Sequence, residues 1–138
     1  MQNAGEQVWK DDKCEMRVWV PVPGVAVFTG KGNVQEALFV SALPVLRAAF
    51  PPDVAGAFFC DGWEIDGYES KFRLRITELV QSLKPRGIEV HVLMRSKIVA
   101  MGFSVANLVL GGDLTGHRDQ KEFYRLVEQT VARVAKPS

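Results

Sequence analysis

The stretch Ala57-Phe58-Phe59-Cys60-Asp61-Gly62-Trp63-Glu64-Ile65-Asp66-Gly67-Tyr68-Glu69-Ser70 decides the architecture of this chain. Its opening residues continue an apolar run from Val54 to Cys60. That run has strand length and no polar alternation, the pattern of a strand covered on both faces and therefore central in a sheet. The acidic, glycine-broken remainder reads as a turn from Asp61 to Tyr68, after which Glu69-Ser70 opens a helix. Phe72, Ile76, Leu79, Val80 and Leu83 then recur at helical spacing up to a stop at Pro85-Arg86-Gly87.

Upstream, Val18, Val20, Val22, Val25, Val27 and Phe28 form a β-branched, largely alternating run interrupted by Pro21, Pro23 and Gly24. Proline cannot donate to a ladder, so this run is an edge strand or two short strands joined at the Pro-Gly step. Val8 and Trp9 suggest a further short strand paired with it as a hairpin. Gly30-Lys31-Gly32-Asn33 reads as a turn, with Asn33 capping a helix whose apolar positions run from Val34 to Ala49, kinked or restarted as a second segment at Pro44 and ended by Pro51-Pro52. Downstream, Ile88 to Met94 is a strand, Ile98 to Leu110 an apolar helix closed by Gly111-Gly112, and Leu114 to His117 a last short strand. Gln120 to Lys136 is a terminal helix with Phe123, Leu126, Val127, Thr130, Val131 and Val134 on one stripe.

Strand and helix alternate, which favours parallel pairing through right-handed crossovers. The expected fold is a single α/β domain over residues 1–138 with a mixed, mostly parallel sheet of roughly four to five strands and about four helices, residues 1–7 and 136–138 being flexible. A chain of 138 residues that is 47% hydrophobic and 24% charged has enough apolar material for one core. Seventeen basic and sixteen acidic side chains leave a net charge of +1, so no overall field draws the chain to nucleic acid or an anionic membrane. Cys14 and Cys60 are far apart and fit neither a disulfide framework nor a zinc pattern, so both read as free thiols and no metal site is expected. The start of the chain lacks the basic and apolar regions of a signal peptide, and no apolar run approaches the roughly 20 residues of a membrane span. The protein reads as cytoplasmic.

Catalytic signatures are missing. Gly30-Lys31-Gly32-Asn33 lacks the spacing and trailing Lys-Ser or Lys-Thr of a phosphate loop, and there is no dinucleotide fingerprint, nucleophile elbow or zinc-protease pair. An enzyme would have to bring Asp61, Glu64, His91 and His117 to one cleft. The reading is therefore non-enzymatic, with no catalytic residues and no cofactor.

The order of elements carries a resemblance: a hairpin-like start, a helix, a buried strand ending in aspartate, an acid-serine helix start, a Lys84-Pro85-Arg86-Gly87 turn into the next strand, then helix, short strand and final helix. Over roughly Arg17 to Ala135 this resembles the STAS-like superfamily of sulfate-transporter and anti-sigma-factor-antagonist domains. In the antagonists the central strand ends in aspartate, and an acid followed by a phosphorylatable hydroxyl opens the next helix. By that resemblance Asp61 matches the strand end, and Glu69 and Ser70 match the acid and the hydroxyl. The family's doubled hydroxyl and glycine are replaced here by Ser70-Lys71-Phe72.

The resemblance implies a signalling or scaffold module that binds a protein partner through residues 61–70 and the following helix. Asp61, Trp63, Tyr68, Glu69, Ser70 and Arg73 are the candidate contacts, with Arg75 beside them. Ser70 either caps the helix or accepts a regulatory phosphate, whose charge suits a helix N-terminus. Trp63 and Tyr68 either anchor a partner or fold onto the core. A second reading places an anionic small molecule or lipid headgroup on Arg95, Ser96 and Lys97, at the strand-to-helix position where open α/β sheets bind ligands, with Met101 and Phe103 lining the site. The alternative, which the preference of serine for caps favours, is Ser96 as a helix cap with solvated neighbours. Self-association through an edge strand or the Ile98–Leu110 helix is a further expectation.

Overall fold

The computed structural model describes residues 5–136. The elements run β1 (Glu6–Lys10), β2 (Cys14–Val22), β3 (Val25–Val34), α1 (Glu36–Ala48), β4 (Ala57–Tyr68), α2 (Ser70–Leu83), β5 (Glu89–Leu93), α3 (Lys97–Val109), β6 (Thr115–His117) and α4 (Gln120–Ala135). A short 3-10 turn, Lys84–Arg86, follows α2. All six strands form one sheet in chain order, β1-β2-β3-β4-β5-β6. β1, β2 and β3 pair antiparallel, and β3, β4, β5 and β6 pair parallel. The single mixed α/β domain with four helices is as expected, and the sheet is slightly larger than the four to five strands read from the sequence. Of the ends expected to be flexible, residues 6 and 7 belong to β1; residues 1–4, 137 and 138 lie outside the described residues.

The extra strand comes from the Arg17–Thr29 run, which divides at Pro23-Gly24 into β2 and β3 with Gly24 at φ +98°. Such a positive φ is the conformation glycine adopts at no steric cost. Three local expectations are corrected here. Gly30 to Asn33 is not a turn but the second half of β3, because Lys31 to Val34 find partners on β4. Asn33 is consequently a strand residue, and Gln35 occupies the cap position of α1 without a side-chain cap bond. Pro44 lies inside α1 and does not start a second segment, since one helix continues to Ala48.

Strand alternation divides the core into two layers. Phe58 and Cys60 face Phe39, Ala42 and Leu46 of α1, Phe72, Leu79 and Val80 of α2, and Val99 of α3. Ala57 and Phe59 face the opposite side with Val25, Val27 and Leu93, where Phe123 and Val127 of α4 cover them. Three helices thus share one face, and α4 alone covers the other. Both cysteines are buried free thiols. Burial, followed by the neighbouring Asp61 charge, pushes the Cys60 thiol well above its ordinary range, which leaves it inert.

Candidate functional site

β4 does not end at Cys60. It continues to Tyr68 against β3, with register shifts opposite Thr29–Lys31 and Gly32–Asn33. Each shift places an extra β4 residue against β3, a bulge that bends the strand and reverses which face its side chains take. β5 pairs with β4 only as far as Asp61, opposite Leu93. Beyond that point β4 has one neighbour instead of two. The stretch is acidic and glycine-rich because one edge is open, and that composition imitates a turn.

Asp61 is correspondingly an interior residue, 7% exposed, rather than a strand-end contact. It lies on the α4 side of the sheet, where its Oδ2 accepts the hydroxyl of Tyr124 and its Oδ1 accepts the Trp63 backbone N–H at 3.0 Å. Burial, then the hydrogen bond and charge of Asp61, push the Tyr124 phenol far above its usual value, so it stays a donor. The partner-contact expectation for Asp61 is therefore corrected: its carboxylate ties α4 to the sheet.

Trp63 and Tyr68 are half-buried. Trp63 packs against the α4-side core, with the Arg95 guanidinium 5.8 Å from its ring centre and Arg95 Nε donating to its carbonyl at 3.1 Å. Tyr68 leans onto Phe72 with ring centres 6.2 Å apart. Its hydroxyl overlies α3 so closely that a β-carbon at Gly102 would collide with it. Neither ring stands free as an anchor.

Glu69 and Ser70 are exposed at the start of α2. Ser70 is the first helical residue rather than the cap, and Glu69 occupies the cap position without capping α2. The Glu69 carboxylate instead accepts the backbone N–H of Glu36 at 2.7 Å, the first residue of α1. Glu36 in turn pairs with Arg75 at 2.9 Å, which takes Arg75 away from Ser70. These side chains lock the starts of α1 and α2 together and leave the Ser70 hydroxyl unused as a cap.

At the β5–α3 corner the expected anion clamp is not assembled. Arg95 lies over Trp63, and the Ser96 hydroxyl caps α3 by accepting from Val99 N at 3.3 Å. Lys97 is exposed in the first turn of α3, Met101 points to solvent, and Phe103 faces the other way, into the molecule. α3 is apolar on both sides. Val99 and Gly102 are buried, whereas Ile98, Met101, Val105 and Leu108 form an outward stripe at 3-4-3 spacing, with Met101 68% and Leu108 83% exposed. Between Ile98 and Val109 there is no charged residue.

Beneath α3 lies a cavity of about 100 Å³, which no local pattern in the sequence reveals because its walls come from β3, β4, β5, α2 and α3. Tyr68 and Val92 of the sheet, Phe72, Ile76 and Val80 of α2, and Phe103 and Ala106 of α3 are among its lining. Arg73 borders it.

The sheet also brings together the two histidines that are remote in sequence. His91 Nδ1 lies 3.0 Å from His117 Nε2, and His91 Nε2 lies 3.1 Å from Glu89 Oε1. A carboxylate only accepts, so the His91 Nε2 carries a proton and Glu89 fixes its tautomer. His91 is sandwiched against Phe59 with ring centres 5.0 Å apart, and Phe123 stands edge-on to His117. Burial first, and His91 second, hold the His117 imidazole below its ordinary 6.5. Asp61 is engaged by Tyr124, and exposed Glu64 pairs loosely with Lys31 at 4.0 Å. Asp61 and Glu64 are thus held by partners of their own, while the two imidazoles pair with each other. No cluster of three or more His, Cys, Asp or Glu side chains among the described residues is arranged to hold a metal, and no helix among them is long and apolar enough to cross a membrane.

No family model and no curated protein matches the sequence. Solved structures do. The anti-sigma factor antagonist SpoIIAA in its unphosphorylated form superposes with a TM-score of 0.60 at 8% identity, covering 83% of this chain and 96% of that one. The fold is SpoIIAA-like. The phosphorylated form of SpoIIAA from Bacillus gives a TM-score of 0.58 at 10% identity, covering 80% and 98%. An uncharacterised DUF3478 protein with a SpoIIAA-like fold from Shewanella loihica PV-4 gives 0.57 at 13% identity, covering 88% and 91%. The murine anion transporter Slc26a9 matches with a TM-score of 0.57 at 6% identity, covering 78% of this chain but 18% of the transporter. These identities carry the fold alone, and the fold is the STAS-like one implied by the order of elements.

Proposed function

We propose that this protein is a non-enzymatic protein-binding module of the STAS type, docking its partner through the start of α2 and the outer face of α3. The observation that carries the reading is the uncharged outer stripe of α3, where Leu108 is 83% exposed. An exposed apolar stripe on a water-facing helix marks an interaction surface more often than a solvent surface. Glu69, Ser70 and Arg73 supply polar groups at the start of α2, and half-buried Tyr68 packs onto Phe72 beneath them.

Ser70 is the proposed switch. Its side chain is exposed and caps nothing, and a phosphate there would add roughly two negative charges at the favourable end of α2, within reach of Lys71. SpoIIAA, to which the fold is similar, has been solved both phosphorylated and unphosphorylated. On this reading the module works in the cytoplasm, binds neither nucleic acid nor cofactor, and performs no catalysis.

The test compares immobilised wild type with a Met101→Asp/Leu108→Asp variant and with Ser70→Asp, followed by titration of each retained protein in purified form. The α3 variant should weaken the authentic partner at least tenfold, and Ser70→Asp should shift its affinity. A partner indifferent to both changes overturns the reading. Sedimentation of the wild type separates the competing occupant, a second copy of this chain on the same stripe.

A further inference from the structure

The cavity between α2, α3 and the sheet has walls that are almost wholly hydrocarbon: Phe72, Ile76, Val80, Val92, Phe103 and Ala106 are representative. An empty apolar space of this kind stays dry, and its lining forgoes dispersion contacts that a complementary ligand would restore. Two side-chain polar groups stand at its edge without a hydrogen-bond or ion-pair partner among the described residues. The neighbouring Arg75 is held by Glu36, but no carboxylate among the described residues pairs with Arg73 itself. The Tyr68 hydroxyl lies at the α3 backbone over Gly102, and no hydrogen bond among the described residues uses it.

From this geometry we infer that the cavity binds a single-chain amphiphile, with an aliphatic chain between α2 and α3 and an anionic head on Arg73 beside the Tyr68 hydroxyl. Charge complementarity selects the head: an unpaired guanidinium at the rim of an apolar cleft favours a carboxylate. The size selects the chain. One water-sized group takes roughly 10–15 Å³ of such space, so about 100 Å³ has room for roughly seven to ten groups of methylene size. Medium-chain fatty acids fit, and a sixteen-carbon chain does not fit without parting the helices. Gly102 belongs to the design, because any side chain there would drive Tyr68 into the cavity.

The two readings share Arg73 and Tyr68, but the cavity lies on the inner side of α3 and the proposed docking stripe on its outer side, so Met101→Asp/Leu108→Asp tests the partner reading without altering the cavity. The experiment titrates wild-type protein, by calorimetry and amide chemical shifts, with octanoate, decanoate, hexadecanoate and decanol below their aggregation limits. Decanoate should bind with a single site and move resonances of Ile76, Val92, Phe103 and Ala106, and hexadecanoate should bind more weakly. Arg73→Gln should weaken decanoate roughly fivefold, the scale of one partly solvated ion pair, and leave decanol unchanged. Ala106→Leu should abolish binding of both by filling the space. Should that variant fail to fold, the Arg73→Gln contrast between acid and alcohol decides alone. Absence of decanoate binding, shifts confined to the outer α3 stripe, or equal loss of acid and alcohol in Arg73→Gln each overturn the proposal.

Discussion

Changing Tyr124 to phenylalanine deletes one oxygen and retains the ring packed edge-on against Phe123, with centres 5.2 Å apart. What disappears is the donor to Asp61 Oδ2, leaving that carboxylate, only 7% exposed, with the Trp63 N–H at 3.0 Å. A hydrogen bond to a charged group contributes about 1.5–3 kcal/mol. Tyr124→Phe should therefore lower the unfolding free energy by about that much, seen in urea as a fall of roughly 1 M in midpoint at unchanged slope. Asp61→Asn keeps the shape and an acceptor, so it should cost less. A double-mutant cycle should return a coupling of about 1–2 kcal/mol, because the two groups act through one contact. Partner binding should be indifferent to both changes once the variants are compared in their folded state. A loss below about 0.5 kcal/mol with simple additivity would refute the assignment of Asp61 as an internal tie.

Other positions give sharp expectations. Gly56→Ala should prevent folding or cost more than about 3 kcal/mol, since its new β-carbon would overlap the Gly24 carbonyl oxygen that accepts the Ala57 N–H; a midpoint within 0.5 M of wild type in urea counts against it. Glu69→Ala should destabilise by about 1 kcal/mol through loss of the cap on α1, and Glu69→Gln should recover much of it, because an amide oxygen still accepts from Glu36 N. His117 should titrate below 6.5 by NMR and move upward in His91→Phe. Its folded value is depressed, so the unfolded chain binds the extra proton: the contribution of His117 is full above 6.5 and declines as the pH falls toward the folded value. A His117 value at or above 6.5 ends that account.

The positions of the helices and of the buried strand were legible because burial writes its own period into the chain. Phe72, Leu79, Val80 and Leu83 can lie inward only on a helix, and Ala57 to Cys60 can be uninterruptedly apolar only where both faces are covered. The second half of β4 was not legible, since a strand with one open edge carries turn-like residues, Asp66 and Gly67 among them. Asn33 illustrates the same conflict: its local preference for a cap yields to pairing with Gly67 across the ladder. At the candidate site, exposure of Glu69 and Ser70 followed from their place before a helix. Strict alternation from Phe59 would have put Asp61 on the face later covered by α4, yet nothing local names Tyr124 as its partner. The cavity and the His91–His117 contact are products of tertiary convergence, built from elements that share no sequence pattern.

The lone cover that α4 provides has a consequence for biogenesis. Between translation of Tyr68 and of Ala135, at about 5–20 residues per second, roughly three to thirteen seconds pass on the ribosome. Until α4 docks, Val25, Val27 and Phe59 lack the cover they have in the folded protein. A chain cut short within the last helix would therefore keep that apolar face open to water, a surface prone to adhesion.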